Sequence, residues 1–218
     1  MPISQRRVTF YVLLTIFSVL FIDQCSKFWI KTNMHYGQEF FIFGLDWARI
    51  HFVENEGMAY GLSLGGRWGK LLLSLFRLGA IGFLCYLLIK LIREKYTPGL
   101  LIFFSLILAG AIGNMIDSMF YGLIFNETTY HGNVAQFMPE EGGYAGFLYG
   151  KVVDMLYFPM INTHFPEWLP IWGGKAFRFF RPVFNVADSS IFIGITGILL
   201  FYRRFFTQKK EDGKVLPL

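Results

Sequence analysis

The sequence predicts an all-α integral membrane protein with four transmembrane helices, a small extracytoplasmic element that contains β-strands, and an interfacial loop or helix. Its 218 residues are 54% apolar and 19% aromatic but only 16% charged, which exceeds the apolar usage of soluble domains. Four apolar segments are long enough to cross a bilayer. The long segments between them are too aromatic to be linkers. We predict a single membrane domain over residues 1–218.

The four apolar segments are the predicted transmembrane helices, because about 20 residues at about 1.5 Å each span the hydrocarbon core. Their approximate ranges are 8–30, 70–92, 99–120 and 184–205. The first resembles a secretory signal, since Arg6 and Arg7 precede an apolar run. No small-residue cleavage site follows, and the apolar character continues to Ile30. We therefore predict an uncleaved first helix.

Basic residues near the ends of these segments predict the orientation. Ten of the twenty Lys and Arg residues lie near the N-terminus, between the second and third segments, or near the C-terminus. They are Arg6, Arg7, Lys90, Arg93, Lys95, Arg203, Arg204, Lys209, Lys210 and Lys214. The positive-inside rule therefore places both termini, including the tail 206–218, in the cytoplasm. The segments 31–69 and 121–183 become outer loops.

The outer loops contain patterns of their own. Residues 48–53 alternate between apolar and polar and predict a strand, followed by a turn at Glu56-Gly57. Residues 150–158 predict a second short strand. Residues 168–182 mix aromatic, basic and proline residues, which suits the bilayer interface. Residues 126–146 are polar and contain glycine, which predicts a mobile surface loop.

Composition and missing motifs exclude several functional classes. The net charge is +5, but the basic residues cluster beside apolar runs, which argues against nucleic-acid binding. The four histidines show no metal-ligand spacing, so we expect neither a metal nor a cofactor. The chain has no H-E-x-x-H and no plausible Cys-His arrangement.

Three predicted helices each place a carboxylate near the outer surface. The polar residues at this depth are Asp23 and Lys27 in the first helix, Asn114 and Asp117 in the third, and Asn185 and Asp188 in the fourth. Polar groups in a membrane segment are costly and are functional candidates by default. Helices that run in different directions would not share this depth through scattered substitutions.

Each group also has a structural interpretation. Asn185 and Asp188 fit an N-cap and an acidic first turn, whereas Asn114 and Asp117 lie where the helix dipole disfavours an acid. The remaining candidates stay open at this point. Asp23 and Lys27 could neutralise each other as an i, i+4 pair, and Arg77 could meet an acid or extend its charge to the interface. Asn55 could be a turn residue. Asp154 is either solvated on a strand edge or directed at a partner.

Five short motifs resemble, in order, those of the prolipoprotein signal peptidase (signal peptidase II) family. They are DQCSK at 23–27, NEGMAYG at 55–61, GNMID at 113–117, GKVVDM at 150–155 and FNVADS at 184–189. The resemblance covers residues 8–205, and five motifs in one order are far more specific than any one alone. Two features depart from the family. Ser118 replaces the arginine that follows the third motif, and the spacings on both sides of Asp154 are longer, within an outer loop that tolerates insertions.

The resemblance implies an aspartic endopeptidase that removes the signal peptide before a diacylglyceryl-modified cysteine. It implies that Asp154 and Asp188 are the catalytic pair. The resemblance also implies supporting or substrate-binding roles for Asp23, Lys27, Asn55, Asn114, Asp117 and Asn185. The implied partners are lipid-modified prolipoproteins and membrane lipids, without nucleic acid, and the protein is expected to be a monomer. Its expected location is the bacterial cytoplasmic (inner) membrane, with the active site toward the outer face.

Paired carboxylates suit peptide hydrolysis, which needs a base for water and a proton for the leaving amine. Two close acids cannot both ionise cheaply, so one keeps a proton, and their titrations are coupled. Three other classes compete with this interpretation. They are a proton-coupled transporter, a structural membrane subunit, and a metal-dependent membrane hydrolase.

Overall fold

The computed structural model describes residues 4–56, 66–130, 132–179 and 182–206. The helices are α1 (Gln5–Asn33), α2 (Gly66–Arg93), α3 (Pro98–Ile124) and α4 (Val186–Phe201). The strands are β1 (Glu39–Phe41), β2 (Arg49–Asn55), β3 (Val152–Tyr157), β4 (Ile161–His164), β5 (Ala176–Phe179) and β6 (Val183–Phe184). Residues 57–61 of the second motif, the Gly57 half of the predicted turn, and the tail beyond residue 206 lie outside the described residues.

Helices α1, α2 and α3 are long and apolar enough to cross a membrane, and α4 is a shorter apolar helix. Helix α3 is central, because it packs against each of the other three. The apolar residues buried between the helices are Val12, Leu88, Leu91, Leu100, Leu101, Phe104, Leu108 and Ile198. Most of the remaining apolar surface of α1 and α2 is exposed in the protein alone, as expected for helices that face lipid.

Small residues bring α3 and α4 together. A Cβ atom added at Gly110 would lie 2.2 Å from the Ala187 carbonyl oxygen, and one added at Gly194 would lie 2.7 Å from the Phe103 carbonyl oxygen. Only glycine permits such an approach between helix backbones. The close contact places the polar residues at the end of α3 beside the first turn of α4.

Helix α3 extends beyond the end near residue 120 that the sequence pattern predicted. The α-helical part ends at Ile116, a π-helical turn follows over Asp117–Tyr121, and the helix continues to Ile124. A π turn inserts an extra residue into the helical repeat and is frequent at functional sites. Here it keeps Asp117 fully buried within the helix.

A four-stranded antiparallel sheet in the order β1-β2-β3-β6 covers one end of the helices. The strands expected at 48–53 and 150–158 are confirmed as β2 and β3. Val53 pairs with Asp154, and Leu156 pairs with Phe184. Strand β6 continues directly into α4, so the sheet and the helices are fixed to each other at that point.

The sheet and the C-terminal half of α1 share a second apolar cluster. Its buried members are Ile30, Met34, Phe52, Tyr121, Phe125, Ala135, Val153 and Met155. The segment that we expected to be a surface loop contributes to this cluster, and its Ala135 N–H donates to the Lys31 carbonyl oxygen over 3.2 Å. Ala135 and Tyr144 of this segment therefore pack against the helices and the sheet.

The segment at 161–179 forms a second, two-stranded sheet. Strands β4 and β5 are antiparallel, with Ile161 opposite Phe179 and His164 opposite Ala176. Residues 161–179 thus form hydrogen-bonded turns and strands and contain no helix, and their expected position at the bilayer interface stays a prediction. The β-branched and aromatic residues of these strands favour this pairing.

Candidate active site

Asp154 lies on β3 and is only 3% exposed, so it is not a solvated residue on a strand edge. One carboxylate oxygen, Oδ1, accepts a hydrogen bond from Asn185 Nδ2 over 2.7 Å. The other, Oδ2, accepts one from Asn55 Nδ2 over 3.3 Å. The two amide donors, one on each oxygen, fix the orientation of this carboxyl group.

Asp188 occupies the first turn of α4 as part of a capping box with Asn185. The Asp188 N–H donates to Asn185 Oδ1 over 2.9 Å, and the Asn185 N–H donates to Asp188 Oδ2 over 3.3 Å. The capping interpretation is therefore confirmed, since both groups satisfy backbone donors at the helix start. The remaining oxygen, Asp188 Oδ1, accepts from Asn114 Nδ2 over 2.7 Å.

Two asparagine side chains connect the two carboxyl groups. Asn185 Nδ2, which donates to Asp154, also donates to Asn114 Oδ1 over 3.0 Å. Asn114 in turn donates to Asp188. Residues from β3, α3 and α4 thus form one continuous hydrogen-bonded group that contains both carboxylates. Such a network is rigid when every member is satisfied.

A buried ionic cluster lies directly beside this group. Lys27 Nζ is 2.9 Å from Asp23 Oδ2, 2.9 Å from Asp117 Oδ2 and 2.9 Å from Asn114 Oδ1. All three charged side chains are fully buried. Lys27 therefore does more than neutralise its i, i+4 neighbour Asp23, because it also joins α1 to α3. A buried ammonium group needs this number of partners to offset its lost hydration.

Both acids of the cluster also bind backbone groups that position the candidate carboxylates. Asp23 Oδ1 accepts from the Ala187 N–H over 2.9 Å, at the positive end of the α4 dipole. Asp117 Oδ2 accepts from the Val153 N–H over 3.2 Å. The cluster therefore holds the residue that precedes Asp154 and the residue that precedes Asp188.

The sequence reasoning assigned no role to Gln24, which connects several of these groups. Its Nε2 donates to Asp23 Oδ2 over 3.0 Å and to Asp117 Oδ1 over 3.0 Å. Its Oε1 accepts from the Tyr121 hydroxyl over 3.3 Å. Gln24 lies inside the first motif, and this position was the signal in the sequence that could have indicated its role. Lys31 was also missed, although it continues the four-residue spacing of Asp23 and Lys27 along α1.

Ser118, where the resembling family has arginine, is buried and does not supply a charge. Its hydroxyl donates to the Asn114 carbonyl oxygen over 3.2 Å, and its own carbonyl accepts from the Gly150 N–H over 2.9 Å. A cation is nevertheless present on α2. Arg77 is half-buried, and its charge interacts with those of Asp188, Asp154 and Asp117.

Burial and, to a lesser extent, the negative charge of Asp188 raise the pKa of Asp154 to about 7, although the donors Asn55 and Asn185 oppose the shift. The ordinary pKa of an aspartate is about 3.9. The pair of carboxyl groups therefore retains one proton up to near-neutral pH. One group can then accept a proton while the other donates one.

Comparison with known proteins adds an independent line of observation. A family model described as signal peptidase (SPase) II matches residues 15–206. The chain is 50% identical over 200 residues to a lipoprotein signal peptidase of Porphyromonas gingivalis, covering 91% of this chain and 85% of that protein. It is 34% identical over 190 residues to one of Amoebophilus asiaticus, covering 86% of this chain and 75% of that protein.

The fold also has a counterpart among solved structures. A bacterial membrane enzyme determined by the in meso method at 2.3 Å resolution matches with a TM-score of 0.55. The match covers 93% of this chain and 94% of the other, at 23% sequence identity. The helices and the sheet thus have the arrangement of a known membrane enzyme.

Proposed function

The chain belongs to the signal peptidase II family, proteases that process the signal peptides of prolipoproteins, and we propose that Asp154 and Asp188 are its catalytic pair. The observation that carries this proposal is the hydrogen-bonded path Asp154–Asn185–Asn114–Asp188. It joins two carboxyl groups that lie far apart in the sequence. One of them keeps a proton near neutral pH, as acid–base hydrolysis requires.

The reaction follows from a pair that shares one proton. The ionised carboxylate takes a proton from a water molecule, whose oxygen attacks the carbonyl carbon of the peptide bond. The protonated carboxyl group gives its proton to the carbonyl oxygen, which yields a neutral gem-diol. As the C–N bond breaks, the carboxylate that is now ionised takes a proton from the diol. The other carboxyl group, which is now protonated, gives its proton to the leaving nitrogen. The pair ends with one shared proton, as it began.

The surrounding residues have positioning roles in this proposal. Asn55, Asn114 and Asn185 hold the two carboxyl groups, and Asp23, Lys27 and Asp117 hold the backbone on which they depend. Preorganised groups of this kind avoid reorganisation during the reaction. The substrate is a prolipoprotein with a diacylglyceryl-modified cysteine, and cleavage occurs immediately before that cysteine.

The proposed topology has four transmembrane helices with both termini in the cytoplasm. Helix α4 has 16 residues and is followed by a 3₁₀ turn over Arg203–Phe206. At about 1.5 Å per α-helical residue and about 2 Å per 3₁₀ residue, the two span about 30 Å, the thickness of the hydrocarbon core. The basic residues at the chain ends support this orientation, and it places the catalytic pair on the outer face. A monomer contains all the proposed site residues.

Turnover by purified variants tests the proposal. Asp154→Asn and Asp188→Asn remove one carboxyl group each and preserve shape. We expect each to lower cleavage of a lipidated prolipoprotein by about 10²–10⁴-fold, the usual worth of acid–base catalysis, while the substrate still binds. The exposed Glu141 provides a matched control, since Glu141→Gln makes the same chemical change away from the site.

Two results would contradict this assignment. Near-normal cleavage by either aspartate variant would remove that residue from the pair. Loss of wild-type activity after treatment with a chelator would favour the metal-dependent hydrolase instead. We expect chelation to leave the rate unchanged.

A further inference from the structure

Two loops leave the same end of the four-stranded sheet. The pairing register places Phe41 opposite Arg49, Arg49 opposite Tyr157, and Tyr157 opposite Val183. The β1–β2 loop and the longer excursion that contains β4 and β5 therefore begin side by side. The rings of Trp47 and Phe158, one from each loop, have centroids 6.4 Å apart.

Each loop carries one highly exposed apolar residue, which we call its tip. Phe43 is 96% exposed and Ile171 is 83% exposed. Both have left-handed backbone conformations, with φ angles of 51° and 73°. This conformation is unfavourable for a residue other than glycine. The exposure of these apolar side chains is unfavourable in water.

The same two chain segments carry further exposed aromatic residues. We define the apolar rim as Phe41, Phe43, Trp47, Trp168, Ile171 and Trp172, all of which are exposed. The only ionisable side chains between residues 165 and 177 are Glu167 and Lys175, so this part of the longer loop has no net charge. An exposed apolar surface of this kind marks a binding surface, and the lack of net charge gives no preference for a charged partner.

Hydrogen bonds hold this part of the longer loop in a defined conformation. The Gly174 N–H donates to the Phe165 carbonyl oxygen over 3.0 Å, and the Gly173 N–H donates to the Leu169 carbonyl oxygen over 2.9 Å. The rings of Phe165 and Trp172 stack with centroids 6.1 Å apart. The exposed side chains are therefore presented by an ordered scaffold.

The rim also starts close to the level at which α4 begins. Strand β6 ends at Phe184, and Asn185 is the N-cap of α4. Val183, at the rim end of the sheet, is thus two residues from that cap, or about 7 Å at the usual rise along a strand. Because α4 is an apolar helix, the loops emerge beside the surface that lipid covers.

We propose that the apolar rim inserts into the lipid headgroup region of the leaflet nearest the active site. Tryptophan and other aromatic residues are favoured at that depth, because their rings are apolar and their edges tolerate water. Asp154 lies on the same sheet as the rim, so the insertion would fix the depth of this carboxyl group. The insertion rests on the proposed topology, in which α4 spans the membrane, and the last consequence also rests on the proposed catalytic role of Asp154.

Depth-dependent fluorescence quenching tests the insertion without requiring catalysis. Cys25 and Cys85 are free cysteines and are first replaced by alanine. Phe43→Cys and Ile171→Cys then each receive a small environment-sensitive fluorophore, and Glu141→Cys provides the control on another exposed segment. The proteins are reconstituted into phosphatidylcholine–phosphatidylglycerol vesicles, with or without lipids brominated near the glycerol backbone.

We expect the labels at 43 and 171 to emit at shorter wavelength than the label at 141 and to lose intensity with the brominated lipids. Water-like, unquenched emission at 43 and 171 would overturn the proposal. Shorter-wavelength emission from both labels in native membranes but not in the lipid vesicles would also overturn the proposal, because a protein partner would then cover the apolar rim. Unlabelled protein gives a second test, because the Trp168→Phe/Trp172→Phe variant should lose part of the lipid-quenched tryptophan emission. An unchanged quenched fraction would overturn the proposal as well.

Discussion

Asp154 and Asp188 are chemically identical groups in different surroundings. Asp154 is enclosed on β3, where burial and the charge of Asp188 raise its pKa to about 7. Asp188 is held at the N-terminus of α4, where the helix dipole favours a negative charge. In the proposed mechanism, Asp154 is therefore the group that holds the proton of the pair near neutral pH.

The shared proton predicts how activity depends on pH. The pair carries one proton below about pH 7 and loses it above, so kcat/KM should fall as pH rises through that value. Asn55 donates to the ionised form of Asp154, so Asn55→Ala should raise the pKa of Asp154 and move the falling limb to higher pH. The pH profile of the reconstituted enzyme measures this shift.

Asn133→Ala serves as the control for that profile, because Asn133 lies on an exposed loop. A falling limb that stays in place or moves to lower pH in Asn55→Ala would contradict the role of this hydrogen bond.

At the scale of elements, the start of α4 combines a structural task with a functional one. Asn185 caps the helix through its carbonyl oxygen and holds Asp154 and Asn114 through its amide nitrogen. These tasks use different atoms of one side chain. A substitution can therefore separate them.

Asn185→Ala should lose both tasks, with a cost of about 1 kcal/mol from the cap and a loss of cleavage. Asn185→Ser keeps an oxygen that can cap but supplies no amide donor to Asp154. We expect the serine variant to unfold at a higher temperature than the alanine variant, yet to be similarly inactive. Thermal unfolding and turnover measure the two effects, and normal turnover by Asn185→Ser would refute the bridging role.

A second buried ion pair fixes the strand that carries Asn55. Lys31 on α1 pairs with Glu54 on β2, and Glu54 also accepts from the Thr128 hydroxyl over 2.6 Å. The Lys31 ammonium group lies over the rings of Phe125 and Tyr144. This arrangement ties together α1, the sheet and the segment that follows α3.

Removing one member of this pair should cost more than removing both. Glu54→Ala leaves a buried ammonium group without its counter-ion, which costs about 3–5 kcal/mol, whereas apolar replacement of both partners is often neutral. We therefore expect Lys31→Met/Glu54→Leu to unfold at a higher temperature than Glu54→Ala or Lys31→Met alone. Additive losses in thermal unfolding would show that the two side chains do not interact.

The fold was predictable wherever one residue pattern dominates. Long apolar runs identify α1 to α3, and the common depth of Asp23, Asp117 and Asp188 identifies the polar site. The π turn in α3 was not predictable, because it depends on packing around the buried Asp117. The β4–β5 pair was missed because its aromatic residues equally suit a membrane interface. Lys31 was missed because a lysine near the end of a span usually extends into water.

At the scale of the whole molecule, the site exists only after the helices and the sheet assemble. The glycine contacts between α3 and α4 bring Asn114 to Asp188, and the sheet brings Asp154 to Asn185. The cluster around Lys27 joins both parts to α1. The catalytic assignment thus depends on one geometric claim, that both carboxyl groups face the same peptide bond.

The most direct measurement of that claim is the structure of the Asp188→Asn variant with an uncleaved lipidated prolipoprotein. We predict that the side chains of residues 154 and 188 both lie within hydrogen-bond reach of a water molecule placed about 3–3.5 Å from the scissile carbonyl carbon. A scissile bond that contacts only one of the two side chains, with the other directed away from it, would contradict the account.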